Sequence, residues 1–114
     1  MSMNDTKHDL QNHVTMIAKE IEYGFDRVDD ESEDSPVMQW LDGVLDIQWI
    51  VSSDKQTLLG ARLLVALGGP NIWVDTSRGT VEGQWWTDSA FETFDTGTDN
   101  AEVLHEYLEM IFGC

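Results

Sequence analysis

A chain of 114 residues with 22 acidic and 6 basic side chains, a formal charge of −16 with histidine neutral, is itself a polyanion. Charge so far from zero repels itself and argues against nucleic acid as a direct ligand, while it favours attraction to a basic protein surface. With 41% hydrophobic residues, five Trp, four Phe and two Tyr, the chain has the bulky anchors that a disordered acidic tail lacks, so one compact domain over 1–114 is expected.

Leu10, Val14, Ile17, Ile21 and Phe25 recur at helical spacing and draw one apolar stripe along a helix from about residue 7 to 24. Asn4, Asp5 or Thr6 can cap it and Gly24 can stop it, with Lys19, Glu20 and Glu22 turned to solvent. An acidic loop is expected over 26–35, because in its run 29–34 Asp29, Asp30, Glu31, Glu33 and Asp34 repel one another and no residue of that run is apolar. Ser35-Pro36 is a helix start, a side-chain oxygen followed by proline at the first helical position. It puts Val37, Met38, Trp40, Leu41 and Val44 on a second helix of about two turns.

From Leu45 the period falls to two. Leu45, Ile47, Trp49 and Val51 alternate with Asp46, Gln48, Ile50 and Ser52, the pattern of a strand with one buried face, and Ser53-Asp54-Lys55 supplies the turn. The run from Thr57 to Leu67 puts Leu59, Ala61, Leu63, Val65 and Leu67 on one side, and Gly60, Arg62, Leu64 and Ala66 on the other. Gly68-Gly69-Pro70-Asn71 breaks it. Both glycines are expected to serve turn geometry, with Gly69→Val costing roughly 1–3 kcal/mol if residue 69 sits at positive φ. A third strand covers Ile72 to Thr76, Ser77-Arg78-Gly79 makes a tight turn, and a fourth strand covers Thr80 to Trp86.

Asp99 and Glu102 resemble a capping box at the start of a last helix, whose inner stripe is Ala101, Leu104, Leu108 and Ile111, supported by Tyr107 and Phe112. The expected fold is α+β, in the order α-α-β-β-β-β-α. A four-stranded antiparallel meander carries the N-terminal helices and the C-terminal helix on one face.

No residue pattern points to catalysis, and the chain reads as a non-enzyme without cofactor. The acids at 29–34 lack the alternate spacing, the glycine and the terminal glutamate of a calcium loop, and Ser35-Pro36 interrupts them. His8 and His13 fall on different helix faces, so no zinc site is read either. The single cysteine, Cys114, excludes an intramolecular disulfide and fits a reducing cytoplasm. No nucleophile elbow or metalloprotease helix is present, and Gly68-Gly69 has neither the lysine nor the following helix of a phosphate loop. No segment has the length of a signal core or a membrane span.

Two surfaces remain as partner-binding candidates. Asp99, Glu102, Glu106 and Glu109 stack along one side of the last helix, about 5–6 Å apart, and Asp88, Glu92 and Asp95 precede them in a possible shared anionic surface with the 29–34 loop elsewhere. Alternation also puts Trp73 and Trp86 on the sheet face away from the helices, beside Ile50, Leu64, Arg62, Asp75, Glu82 and Gln84. That face is expected to be covered by segment 87–98 or by a second copy of the chain, or to be a tryptophan-centred interface.

The stretch from Gly60 to Thr76, with its Gly-Gly-Pro-Asn-Ile-Trp core, and Gly83-Gln84-Trp85-Trp86-Thr87-Asp88-Ser89-Ala90 resemble a family of small, mostly uncharacterised proteins of phages, prophages and bacterial mobile elements. The resemblance implies a setting that includes anti-CRISPR proteins and other DNA mimics. Charge and resemblance together lead to a non-enzymatic inhibitor in the bacterial cytoplasm. It would bind the basic nucleic-acid-binding surface of a host defence protein such as a CRISPR effector. The alternatives are an immunity-type protein that neutralises a basic nuclease toxin, and a phage accessory protein that forms a homodimer through its sheet face.

Overall fold

The stripe of Leu10, Val14, Ile17 and Ile21 forms the buried side of helix α1 (Met3–Tyr23), and Gly24 ends it at φ +134° with its N–H donated to Glu20 O. The computed structural model describes residues 3–25 and 33–113. Because α1 begins at Met3, Asn4, Asp5 and Thr6, expected ahead of it as caps, lie within the bounds of the helix. Helix α2 (Pro36–Asp42) starts as its sequence dictates. Pro36 opens the first turn, Ser35 is the N-cap, and its Oγ accepts the Met38 N–H. Phe25 stacks on Trp40 with ring centroids 4.8 Å apart, which ties the end of α1 to α2.

Five strands follow: β1 (Asp46–Val51), β2 (Leu58–Ala66), β3 (Asn71–Asp75), β4 (Thr80–Trp85) and β5 (Asp88–Thr93), before helix α3 (Asp99–Phe112). They form one antiparallel meander in the order β1-β2-β3-β4-β5. Asp54 shapes the first hairpin, accepting from Ser52 Oγ and from the Gln56 N–H, and these donors hold its carboxyl below the ordinary aspartate pKa. The α+β meander is therefore as expected, with one strand more than the sequence pattern indicates. Segment 87–98 does not cover the sheet; residues 88–93 extend it, from the Trp85/Asp88 pair to the Thr80/Thr93 pair. The fourth strand ends at Trp85, and Trp86 belongs to the turn.

Strand β2 is irregular at both ends. Its register shifts between the Ile50/Gly60 and Val51/Leu58 pairs, and again between the Leu64/Trp73 and Ala66/Ile72 pairs. Each shift inserts a residue and breaks strict alternation. Ala61 and Leu63 are buried as their period predicts, whereas Leu59 and Leu67, expected on the same face, are largely exposed. Leu45, which precedes β1, is exposed too.

All three helices lie on one face of the sheet. Helix α1 packs across β4 and β5, α3 packs beside α1 over β2, and α2 touches α3. The core between the layers joins Leu10, Val14 and Ile21 of α1 to Leu63, Ile72, Val74 and Val81 of the sheet and to Leu104 and Leu108 of α3. Helix α1 can approach this closely because β4 carries Gly83 beneath it. A Cβ at that position would lie 2.9 Å from both Leu10 Cδ1 and Val14 Cγ1, side chains that are themselves fully buried.

The turn glycines divide differently from the sequence expectation. Gly68 holds the positive φ, +101°, and its N–H is donated to Asn71 Oδ1 at 2.8 Å, whereas Gly69 is not in the left-handed region. A Cβ at Gly69 would meet only Trp85 Nε1 at 3.5 Å, an ordinary contact.

Gly83→Val should therefore lower stability by about 1–3 kcal/mol through overpacking, read as a lower urea midpoint at unchanged slope. An unshifted midpoint would contradict the seating of α1 on β4. Gly68→Ala should cost about 1–3 kcal/mol, while Gly69→Ala should stay within about 0.5 kcal/mol of the parent chain. The reverse order in thermal melts would contradict the turn geometry.

Candidate functional site

Helix α3 is fixed at its start by the side chains of Thr98 and Asn100. Thr98 is the N-cap and its Oγ1 accepts the Ala101 N–H at 3.3 Å, so Asp99 and Glu102 do not form the expected capping box. They lie in the first turn, where negative charge is favoured by the helix dipole. Asn100 Nδ2 donates to Glu20 O and Ile21 O, both at 3.0 Å, and so joins the start of α3 to the last carbonyls of α1. Further along, Ser35 Oγ donates to Tyr107 OH at 3.1 Å and ties α2 to the same helix.

Ala101, Leu104 and Leu108 face the core. The inner stripe stops there, because Ile111 and Phe112 are exposed beyond it, with Phe112 edge-on to Trp49 at 5.3 Å between centroids. Burial of the Leu104 side turns Glu102, Glu106 and Glu109 outward, and all three line a groove of about 380 Å³ with His105. The opposite wall is Leu59 with Thr76 and Ser77 of the β3–β4 turn. His105 Nε2 lies 2.9 Å from Glu109 Oε1. A groove with three carboxylates on one wall and hydroxyls on the other offers acceptors to a guanidinium or ammonium group.

The other acids do not join this wall as one surface. Asp99 is exposed one turn earlier and does not line the groove. Glu92 points under α1, where its Oε2 accepts Thr15 Oγ1 at 3.1 Å, near Lys19 and Glu22. Asp88 sits at the opposite end of β5 from the Asp95 turn. In that turn Asp95 accepts the Gly97 N–H, and its own N–H is donated to Glu22 Oε2. The hydrogen bond and negative charge of Glu22, with burial and Asp95 adding less, push the Tyr23 phenol above its ordinary pKa. Glu33 and Asp34 are exposed ahead of α2. Asp29, Asp30 and Glu31, with most of the acidic loop, lie outside the described residues, as does Cys114.

The second candidate surface is the sheet face opposite the helices. Trp73 occupies its centre on β3 as expected, with Leu64 and Glu82 as its neighbours on β2 and β4. The Arg62 guanidinium lies over the Trp73 ring at 4.7 Å from its centroid. Trp86 is not part of this face: it is 86% exposed in the β4–β5 turn at φ +57°. Phe91 takes the place the sequence reading gave to Trp86. It pairs with Glu82 across β4–β5 and is 52% exposed. Reading residues 88–93 as a strand would have found it, since Ser89, Phe91 and Thr93 alternate with Ala90 and Glu92. Two shallow concavities of about 480 and 570 Å³ share Arg62, Trp73, Glu82 and Phe91 as their common border.

Among the described residues, no three His, Cys, Asp or Glu side chains are placed to hold a metal ion together, and no helix is long and apolar enough to cross a membrane. Compared with known protein families, with curated proteins and with solved structures, the chain matches none.

If Asn100 positions the acidic helix, Asn100→Ala should cost about 1–3 kcal/mol, because it removes two hydrogen bonds that join the start of α3 to the end of α1. Amide exchange should quicken first at the start of α3 and the end of α1. Uniform exchange at parental rates would show that the joint is unimportant.

Proposed function

We propose that this chain is a non-enzymatic inhibitor that occupies the basic, nucleic-acid-binding surface of a partner protein. The observation that carries this reading is the outward row of Glu102, Glu106 and Glu109 on a helix held by Thr98, Asn100 and Tyr107, in a chain of charge −16. A row of carboxylates on a rigid helix presents acceptors at fixed intervals, so lysines and arginines that otherwise contact phosphates find partners without the ordering cost of a loop. The surrounding negative field steers such a partner from a distance.

The phage and mobile-element resemblance extends this reading to an anti-CRISPR or other DNA-mimic protein acting in the bacterial cytoplasm. A CRISPR effector or a comparable nuclease would then be the target. The groove wall and the helix face, rather than Glu92 or Asp88, would form the footprint, because those two acids lie apart from α3.

The test is a triple reversal, Glu102→Lys, Glu106→Lys and Glu109→Lys, which leaves Ala101, Leu104 and Leu108 in place. Against a nucleic-acid-binding protein captured from a bacterial extract by the parent chain, the variant should bind at least about 100-fold more weakly. Its melting should remain cooperative, and association of the parent should slow as salt rises. Reversal of Glu33 and Asp34 should retain most of the affinity. Equal binding by the folded triple variant would refute the role of α3.

A further inference from the structure

We propose that the open face of the sheet is the contact between two copies of this chain, packed face to face about a two-fold axis that runs along β3. This proposal is independent of the role of α3 and uses none of its residues.

Three observations lead to it. The helices all lie on one side, so among the described residues the Trp73 side of the sheet has no second layer. That side is apolar in part, with Trp73 at its centre and Phe91 half exposed. It is also where the charge of the molecule nearly cancels. Its two concavities bring Arg62 and Arg78 together with Asp75 and Glu82, and Asp46 at the β1 edge adds a single further acid, on a chain whose total is −16. The groove wall of α3, by contrast, carries Glu102, Glu106 and Glu109, so two copies meeting there would set acid against acid. Asp75 is moreover occupied within its own molecule, its Oδ1 accepting the Ser77 N–H, Ser77 Oγ and the Arg78 N–H. Glu82 is left to face outward on β4, diagonally across β3 from Arg62.

The order of strands makes this face complementary to itself. Arg62 is on β2 and Glu82 on β4, the two neighbours of β3. A two-fold axis along β3 lays β2 of one copy over β4 of the other, and the reverse. The Arg62 head group already leans over Trp73, the direct cross-strand partner of Glu82, so it lies in the row where the second copy would bring its own Glu82. Each contact would thus occur twice, flanking a pair of Trp73 rings, with sheets stacked at the usual spacing of about 10 Å. Both helical layers would remain on the outside.

The experiment is sedimentation equilibrium on the full chain and on Arg62→Glu, Glu82→Arg and the double exchange, with circular dichroism to confirm folding. The parent should have twice the monomer mass, each single variant should fall to the monomer, and the double exchange should restore the dimer because the pair is only reversed. Phe91→Lys, a change at a half-exposed side chain, should also give a monomer and serves if a charge variant fails to fold. A parent that is monomeric throughout the concentration range overturns the proposal and leaves the face to a different protein. Dimers that persist in all the variants overturn it as well, since the contact would then lie elsewhere. A double exchange that is folded but stays monomeric overturns the Arg62 and Glu82 pairing.

Discussion

The direct contact of Leu10 and Val14 with the sheet at Gly83 governs the rest of the molecule. Because β4 has no side chain there, α1 lies close on β4 and β5 and fills that half of the face. Helix α3 must then lie alongside, over β2, where Asn100 fastens it to the end of α1. Burial of roughly 25 cal/mol per Å² of apolar surface is thus gathered on one side. Among the described residues, the other side of the sheet carries a single layer of side chains around Trp73.

That one-sided arrangement separates two kinds of surface. On the helical side, burial of Ala101, Leu104 and Leu108 forces the glutamates of α3 outward, and the helix tolerates their repulsion, on the order of 0.2–0.5 kcal/mol per pair. The Thr98 cap and the early position of Asp99 and Glu102 offset part of that cost. On the open side, Arg62 and Arg78 offset all but one of the acids Asp46, Asp75 and Glu82. An anionic helix suits a basic partner, and a nearly neutral aromatic face suits a surface without strong charge, so the two need not compete for one ligand.

Much of this architecture was legible in the residues because local rules and packing agree. The period of Leu10, Val14, Ile17 and Ile21, the Ser35-Pro36 start and the alternation through Ile47, Trp49, Ala61 and Leu63 place core-facing side chains correctly, though Ile47 and Trp49 are only partly buried. Strand β5 was hidden because Asp88-Ser89-Ala90-Phe91-Glu92-Thr93 has one small buried residue, Ala90, and because its hairpin turns at Trp86 where a glycine or asparagine would signal it. The exposure of Leu59 and Leu67 follows from register shifts in β2, which pairing determines and no periodicity announces. For the candidate site, the outward side of α3 was readable from its spacing. The separation of Glu92 and Asp88 from it was not, because it depends on β5 passing beneath α1. Gly68, not Gly69, takes the left-handed conformation, a choice set by how Asn71 closes that turn.

The central claim is that the acidic side of α3 stands in for nucleic acid on a basic partner. It is tested most directly by competition for the captured partner, measured as the affinity for its own DNA or RNA at increasing concentrations of this chain. Mutual exclusion, with the apparent nucleic-acid affinity falling in proportion to the added chain and without saturation of the effect, is the predicted result. A ternary complex in which the chain and the nucleic acid bind the same partner together, neither weakening the other, would contradict it.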